Sequence, residues 1–222
     1  MRMENSKTDI VILTYNSSKF IELCIERIRR HTKNYQLFVI DNGSTDETKI
    51  ILERLREPDD VIVYNEKNRG CGPARNQGAA LGTSPLLCFV DSDLLVGPGW
   101  LEGMKVIYDA EDTGIVGVVS YNEFTQVLPV SAKFIAGYCT LHRRETFNEL
   151  GGYDEAMFFG YEDNDYCKKV LDKGMKIRVA PFSLLHFGSL SVEPTPELAI
   201  EIEKSREYFN KKWKTDYQSY LT

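Results

Sequence analysis

No apolar stretch in this 222-residue chain approaches the ~18 residues that a bilayer-spanning helix needs; the longest are short runs such as Leu86–Val90. An excess of positive charge is missing too. Against 27 Lys and Arg stand 33 Asp and Glu, a net charge of −6, which excludes a nucleic-acid groove because such grooves use clustered cations to displace counterions. Cysteine is sparse and unpaired: Cys24, Cys71, Cys88, Cys139 and Cys167 are widely scattered with no C-x-x-C pair. That pattern excludes a disulfide framework or zinc knuckle and fits reduced thiols. The first residues, MRMENSKTD, lack the apolar centre of a secretory signal, so the expected location is the cytoplasm. Two phosphate-binding signatures are also absent: the first apolar run is followed neither by G-x-G-x-x-G nor by G-x-x-x-x-G-K-[ST]. What is present, 42% hydrophobic and 27% charged residues, is the composition of a globular chain with enough length to bury a core.

The first half alternates two periodicities. Asp9–Leu13 is a continuous β-branched run, as expected of a strand buried on both faces. Ser17 or Ser18 is the expected cap of a helix carrying Ile21, Cys24, Ile25 and Ile28 at helical spacing. Leu37–Ile40 reads as a second strand closed by Asp41-Asn42-Gly43, and Ser44 to Glu47 forms a capping-box pattern before Ile51 and Leu55. Val61–Tyr64, a helix over Gly72–Leu81, and Leu86–Val90 complete the series. Strands separated by crossovers of this length predict a parallel α/β sheet covered on both faces. Ligands in such sheets bind beyond the carboxyl ends of the strands. That rule puts Thr14, Tyr15 and Asn16, the Asp41 turn, Asn65–Arg75 and Asp91-Ser92-Asp93 along one rim.

The second half is less regular. Pro98 begins an expected helix to about Ala110, Ile115–Val119 reads as a strand, and residues 121–135 read as an irregular hairpin or acceptor-side loop. Gly151-Gly152 signals a turn, Tyr161–Asp172 a helix stopped by Gly174, and Thr195-Pro196-Glu197 the start of a last helix. With no repeat or linker, one domain is expected, with a nucleotide-handling part at 1–95, an acceptor-binding part at 96–192 and a helical tail at 193–222.

Three clusters can carry chemistry, each with a plainer alternative. Asp91 and Asp93 end an apolar strand, where residues i and i+2 share a face and can converge on a divalent cation such as Mg²⁺ or Mn²⁺; a solvated turn has the same composition. Glu162 and Asp163 open a helix, either as working carboxylates or as acids that complement the helix dipole. Asp165, with Lys168 and Lys169 three and four residues on, reads as a structural ion pair. His186, after Leu184-Leu185, is a core histidine or a metal ligand. The segment from Asn68 to Asn76 combines Gly70 and Gly72 with Arg69 and Arg75, either a phosphate cradle or a Gly-rich connector.

In order along the chain, VILTYN (11–16), VIDNGSTDET (39–48), NRGCGPARNQG (68–78), FVDSD (89–93), GGYDE (151–155), GYEDND (160–165) and HFGS (186–189) resemble family 2 glycosyltransferases of the GT-A fold. The resemblance covers about residues 8–190 and is nearest to rhamnosyltransferase-like members. It implies an α/β GT-A fold: a mostly parallel nucleotide-binding sheet flanked by helices, with a mixed acceptor-side second half. It implies an inverting enzyme that moves a sugar from a UDP-, dTDP- or GDP-linked donor to an acceptor hydroxyl on a glycan, lipid-linked saccharide or protein, with Mn²⁺ or Mg²⁺ as cofactor. By the same resemblance Thr14 and Tyr15 wall the nucleotide, Asp41 accepts a hydrogen bond from the base, and Arg75 contacts base or diphosphate. Asp91 touches ribose or sugar, Asp93 and His186 ligate the metal, Asp163 is the catalytic base and Glu162 binds hydroxyls; Asn16, Gly70 and Ser92 complete the donor-side set. No Q-x-x-R-W segment follows His186, which sets the chain apart from processive synthases.

Three rival readings remain at the level of sequence, one of them a plain interaction domain, which would leave the ordered acidic motifs unexplained. A sugar-nucleotidyltransferase would carry a Gly-rich loop where Thr14-Tyr15-Asn16 stands, and an inactive nucleotide-sugar-binding protein would have little need of Asp93 and Asp163. The segment 203–222 holds five basic and three acidic residues interleaved with Tyr208, Phe209, Trp213, Tyr217 and Tyr220. It is either a peripheral contact with the inner membrane face or a terminal helix packing through Leu198, Ile202 and Phe209.

Overall fold

The β-branched run at the start of the chain becomes β1 (Thr8–Thr14), buried along its whole length. Ile10 and Ile12 point into one apolar layer, Val11 and Leu13 into the other. A strand with two buried faces must lie inside a sheet, and β1 does: β2 (Tyr35–Asp41) and β4 (Leu86–Asp91) flank it in parallel, with β3 (Val61–Tyr64) outside β2. The computed structural model describes residues 3–120, 133–188 and 195–215. The connecting helices are α1 (Ile21–His31), α2 (Thr48–Leu55) and α3 (Cys71–Ala79). Ile21, Cys24, Ile25, Ile28 and Leu52 fill the layer on one face of the sheet, and Ala74 and Ala79 the layer on the other.

Beyond β4 come β5 (Leu94–Leu95), α4 (Trp100–Tyr108), β6 (Thr113–Ser120), β7 (Cys139–Arg143) and α5 (Arg144–Glu149). The chain continues through α6 (Glu162–Asp172), β8 (Lys176–His186) and α7 (Pro196–Trp213). The strand order is β3-β2-β1-β4-β7-β6-β8-β5. β7 runs antiparallel to both β4 and β6, whereas β6 and β8 are parallel, so the second half is mixed, as expected. Its helices divide too: Trp100, Leu101 and Met104 of α4 join the α1 layer, while Phe147 of α5 and Tyr166, Cys167 and Val170 of α6 join the α3 layer.

Three local expectations are corrected. β7 and α5 carry no clear periodicity and were not expected. Ser17 does not cap α1 with its side chain: its hydroxyl meets Ser92 Oγ at 2.9 Å, and its carbonyl takes the N–H groups of Phe20 and Ile21. Ser44 does not close a capping box either. Its hydroxyl is drawn to the buried Asp41 carboxylate, while Asp46 accepts the Thr48 N–H at 3.0 Å where α2 begins. Thr195 does cap α7, accepting the Leu198 N–H at 3.1 Å, with Pro196 at the first helical position. Most of the expected irregular segment, residues 121–132, lies outside the described residues, as do Ser189, Tyr217 and Tyr220.

Candidate active site

The carboxyl end of β4 and the last residue of β8 meet through β5. Leu94 pairs with His186, which brings the imidazole back over the turn that follows β4. Asp91 is the last residue of β4, so Ser92 and Asp93 sit in a turn rather than on the strand. The expected convergence through strand alternation is therefore produced by chain reversal instead. His186 Nε2 lies 3.2 Å from Asp93 Oδ1, and one ligand atom each from Asp91, Asp93 and His186 falls within 4.8 Å of the others. Tyr138 stacks on the imidazole at 4.3 Å. Burial works against the imidazolium, and the Asp93 carboxylate outweighs it, so the His186 pKa is raised. Two carboxylates and an imidazole, with Asp93 buried, make a donor set suited to a hard or borderline divalent cation. The residues present fit such a cation.

Across the cleft stand the acids at the start of α6. Tyr161, with φ of 70°, turns the chain so that Glu162 and Asp163 face inward. Asp163 Oδ2 accepts the Gly137 N–H at 3.1 Å, and its Oδ1 accepts the Asn164 N–H at 2.8 Å. Burial raises the Asp163 pKa against the opposing pull of Arg75 and these donors. Glu162 is pushed up to about 7, first by burial and then by the neighbouring Asp163 charge. Its Oε1 bonds Arg75, and its Oε2 is buried with no partner among the described residues.

Arg75, on α3, ties the two sides together. Nη1 donates to Glu162 Oε1 at 2.9 Å and Nη2 to Asp91 Oδ1 at 2.8 Å, with the guanidinium over the Tyr153 ring. Burial opposes its charge, and its neighbours, Asp91 foremost, outweigh that, so its pKa is raised. Gly137 makes room: a Cβ there would stand 2.9 Å from Arg75 Nη1.

These groups line one cleft of about 240 Å³, together with Tyr15, Ser92, Asn42, Asn68, Cys71 and Phe159. Of the residues expected from sequence, Tyr15, Arg75, Asp91, Ser92, Asp93, Glu162, Asp163 and His186 thus come together. Thr14 is buried at the end of β1, opposite Asp41. Asp41 is buried too and engaged by Ser44; burial raises its pKa. Gly70, with φ of 90°, immediately precedes α3 as its N-cap, and its close backbone approach is to Phe158, where a Cβ would come within 2.5 Å of the carbonyl oxygen. Asn16 faces a second cleft of about 670 Å³, which shares Tyr15, Asn68 and Phe159 with the first and is closed on one side by Glu197, Leu198 and Glu201 of α7.

Sequence reasoning put Asn42 and Asn68 on the rim without giving either a role, and it missed Gly137 and Tyr138. Asn42 Nδ2 donates to Asn68 Oδ1 at 2.8 Å, and its Oδ1 accepts the Arg69 N–H, which shapes the loop before α3. The runs of Asn in 65–76 were the available signal; Gly137 had none, since its role depends on Arg75 lying beside it.

Residues 9–166 match the model of a family described as Glycosyl transferase family 2. The chain belongs to glycosyl transferase family 2. This family 2 chain is 31% identical over 122 residues to glycosyltransferase AglE of Haloferax volcanii, an alignment covering 52% of this chain and 39% of AglE. It therefore spans well under half the length of that relative. Among solved structures, a mannosyltransferase from Pyrobaculum calidifontis in complex with GDP-Man and Mn²⁺ superposes with a TM-score of 0.76 at 19% identity, covering 94% of this chain and 64% of that one. GalNAc-T7 with UDP, GalNAc and Mn²⁺ gives a TM-score of 0.71 at 18% identity, covering 82% and 44%. The family 2 chain thus has the GT-A fold.

Proposed function

We propose that this chain is an inverting, metal-dependent glycosyltransferase that moves a sugar from a nucleotide-sugar donor to an acceptor hydroxyl in glycan or polysaccharide biosynthesis. The observation that carries this is one cleft with a cation-ligand set, Asp91, Asp93 and His186, facing a raised-pKa carboxylate pair, Glu162 and Asp163. The Mn²⁺ complexes of the two superposed enzymes, with GDP-Man and with UDP, support the cation and the donor class. We assign the whole chain to one catalytic domain, with UDP-, dTDP- or GDP-linked sugar as donor and a glycan, lipid-linked saccharide or protein as acceptor.

Asp93, His186 and Asp91 would hold the cation, which when bound offsets the charge of a departing diphosphate. Asp163, anchored by the Gly137 N–H and with its pKa raised by burial, takes the proton of the attacking hydroxyl. Glu162 offers its unpartnered Oε2 to a substrate hydroxyl. Arg75 is committed to Asp91 and Glu162, so in this reading it orders the site instead of binding the base. No helix among the described residues is long and apolar enough to cross a membrane. A peripheral contact at the inner membrane face would rest on the exposed Tyr208, Lys211 and Lys214.

Asp163→Asn tests the reading. It should leave binding of UDP, dTDP or GDP with Mn²⁺ or Mg²⁺ unchanged in calorimetry, while turnover falls by roughly 10²–10⁴-fold. Turnover at the parent rate removes Asp163 as the base. A parent chain that binds nucleotide but never releases it from UDP-, dTDP- or GDP-sugars is a binding protein instead.

A further inference from the structure

We propose that the C-terminal helix α7 is a clamp that positions the Glu162–Asp163 pair. The proposal rests on the assignment of Asp163 as base, and it concerns a helix outside the 9–166 family match.

The last two turns of α7 meet the first turn of α6. Asp165, two residues after Asp163, is fully buried, and a buried carboxylate is tolerated only when its charge is met. One partner comes from its own helix, Lys169 Nζ at 3.1 Å. Two come from α7: Lys212 Nζ at 2.6 Å and Trp213 Nε1 at 2.9 Å, both on Oδ1. Lys212 also reaches Asp154 at 2.6 Å, in the loop that leads into α6. Phe209, fully buried, packs against Tyr161, the residue whose left-handed backbone starts α6. Lys168 of α6 lies over the Trp213 ring at 4.8 Å. α7 stops at once after these contacts, with Lys214 in the left-handed conformation and the Thr215 N–H returned to Asn210 O at 3.2 Å.

The contacts thus centre on Tyr161 and Asp165, just before and just after the acid pair, with Lys168 one turn further along α6. The Asp163 carboxylate is held by the N–H groups of Gly137 and Asn164, and its backbone is flanked by Asp165 and Tyr161, which α7 holds. A displacement of about 1 Å at a reacting group is worth on the order of 100-fold in rate. Lys212, Trp213 and Phe209 are therefore positioning residues, and the aromatic and lysine content of this segment serves α6.

The test compares the parent with the Lys212→Met/Trp213→Phe double variant, and with Lys212→Met alone in case the double variant folds poorly. UDP-GlcNAc, UDP-glucose, dTDP-rhamnose and GDP-mannose, each with Mn²⁺, serve as donors. Release of nucleoside diphosphate is measured per nucleotide-binding site titrated by calorimetry. The expected result is a kcat lower by about 10- to 100-fold with donor KM within about twofold, a smaller fall for the single variant, and recovery in Lys212→Arg. Amide exchange over 158–166 should quicken while 86–91 keeps its protection. Unchanged kcat in the double variant, or a fall wholly explained by fewer binding sites, overturns the clamp. If Asp163→Asn is inactive in the same assay while the double variant is not, only the clamp fails; if Asp163→Asn is fully active, the base assignment fails first.

Discussion

Arg75 Nη1 lies 2.9 Å from Glu162 Oε1, and both side chains are almost wholly shut off from solvent, at 4% and 6% exposure. A single guanidinium on α3 thereby joins the acid pair of α6 to the β4 carboxylate Asp91, which it holds with its other nitrogen. The β4 side and the α6 side of the cleft share one guanidinium.

Removing that cation should be felt first in stability. Arg75→Met leaves Glu162 and Asp91 without their buried partner, and breaking such a pair by deleting one member costs about 3–5 kcal/mol. Urea denaturation should show that loss. Arg75→Lys, which retains the charge but lacks the fork, should recover part of it. A loss below about 1 kcal/mol for Arg75→Met would mean that the two acids find other partners.

Gly137→Ala inserts a methyl group 2.9 Å from Arg75 Nη1, at the residue whose N–H holds Asp163. Arg75 is pinned at both ends and cannot swing aside, so the neighbours must shift. The expected penalty is about 1–3 kcal/mol, typical of overpacking, together with reduced turnover. Thermal unfolding beside a donor-turnover assay checks both; a variant as stable and as active as the parent would show that the segment before β7 yields freely.

On the proposed metal assignment, Asp93→Ala should abolish the Mn²⁺-dependent part of nucleoside diphosphate binding, because the buried Asp93 carboxylate is one of the three grouped candidate ligands and lies 3.2 Å from His186. His186→Ala should weaken Mn²⁺ affinity while leaving some activity at high Mn²⁺. Calorimetry with GDP and UDP, each with and without Mn²⁺, separates the two. Equal Mn²⁺ affinity in parent and Asp93→Ala would place the cation elsewhere.

Two buried groups give folding stability opposite pH dependences. His142, packed among Phe89, Phe147, Tyr153 and Tyr166, has its pKa lowered from 6.5 to about 3 by burial and then by Arg75. Between those values the unfolded chain binds a proton that the native chain does not, so stability falls as pH drops from 6.5 toward 3. Glu162, raised from 4.5 to about 7, binds a proton in the native state that the unfolded chain has released. Its contribution is full below 4.5 and lost as pH rises through 7. His142→Gln should therefore be less stable than the parent at pH 7 by more than it is at pH 5. Relative to the parent, Glu162→Gln should gain in stability as pH rises from 5 to 8, because the parent loses the Glu162 contribution over that range and the variant does not. Denaturation curves at pH 5, 7 and 8 decide; a pH-independent difference for both variants would put the titration elsewhere.

What the sequence determined by itself was the first half. Runs such as Ile10–Leu13 and Phe38–Ile40 are apolar at every position, which only an interior strand can bury, and helical spacing at Ile21, Cys24, Ile25 and Ile28 states which face packs. The rule that ligands gather at the carboxyl ends of such strands then located Tyr15 and Asp91 on the rim of the cleft. The local capping signals were legible and two of them misled. Ser17 and Ser44 have partners closer in space than their own helices, Ser92 and Asp41, and a hydroxyl serves the buried acceptor or donor it can reach. Only the tertiary structure decided the second half of the site. β7, Cys-Thr-Leu-His-Arg, is half polar and has no strand period, yet Thr140 and His142 are buried because β4 and β6 enclose it and an aromatic cluster surrounds the ring. Arg75 could be read as a phosphate ligand because a sequence shows a free guanidinium. Its partners, Asp91 and Glu162, are 16 and 87 residues away, and long-range pairing of buried charges is set by how helices dock on the sheet, which no local spacing encodes.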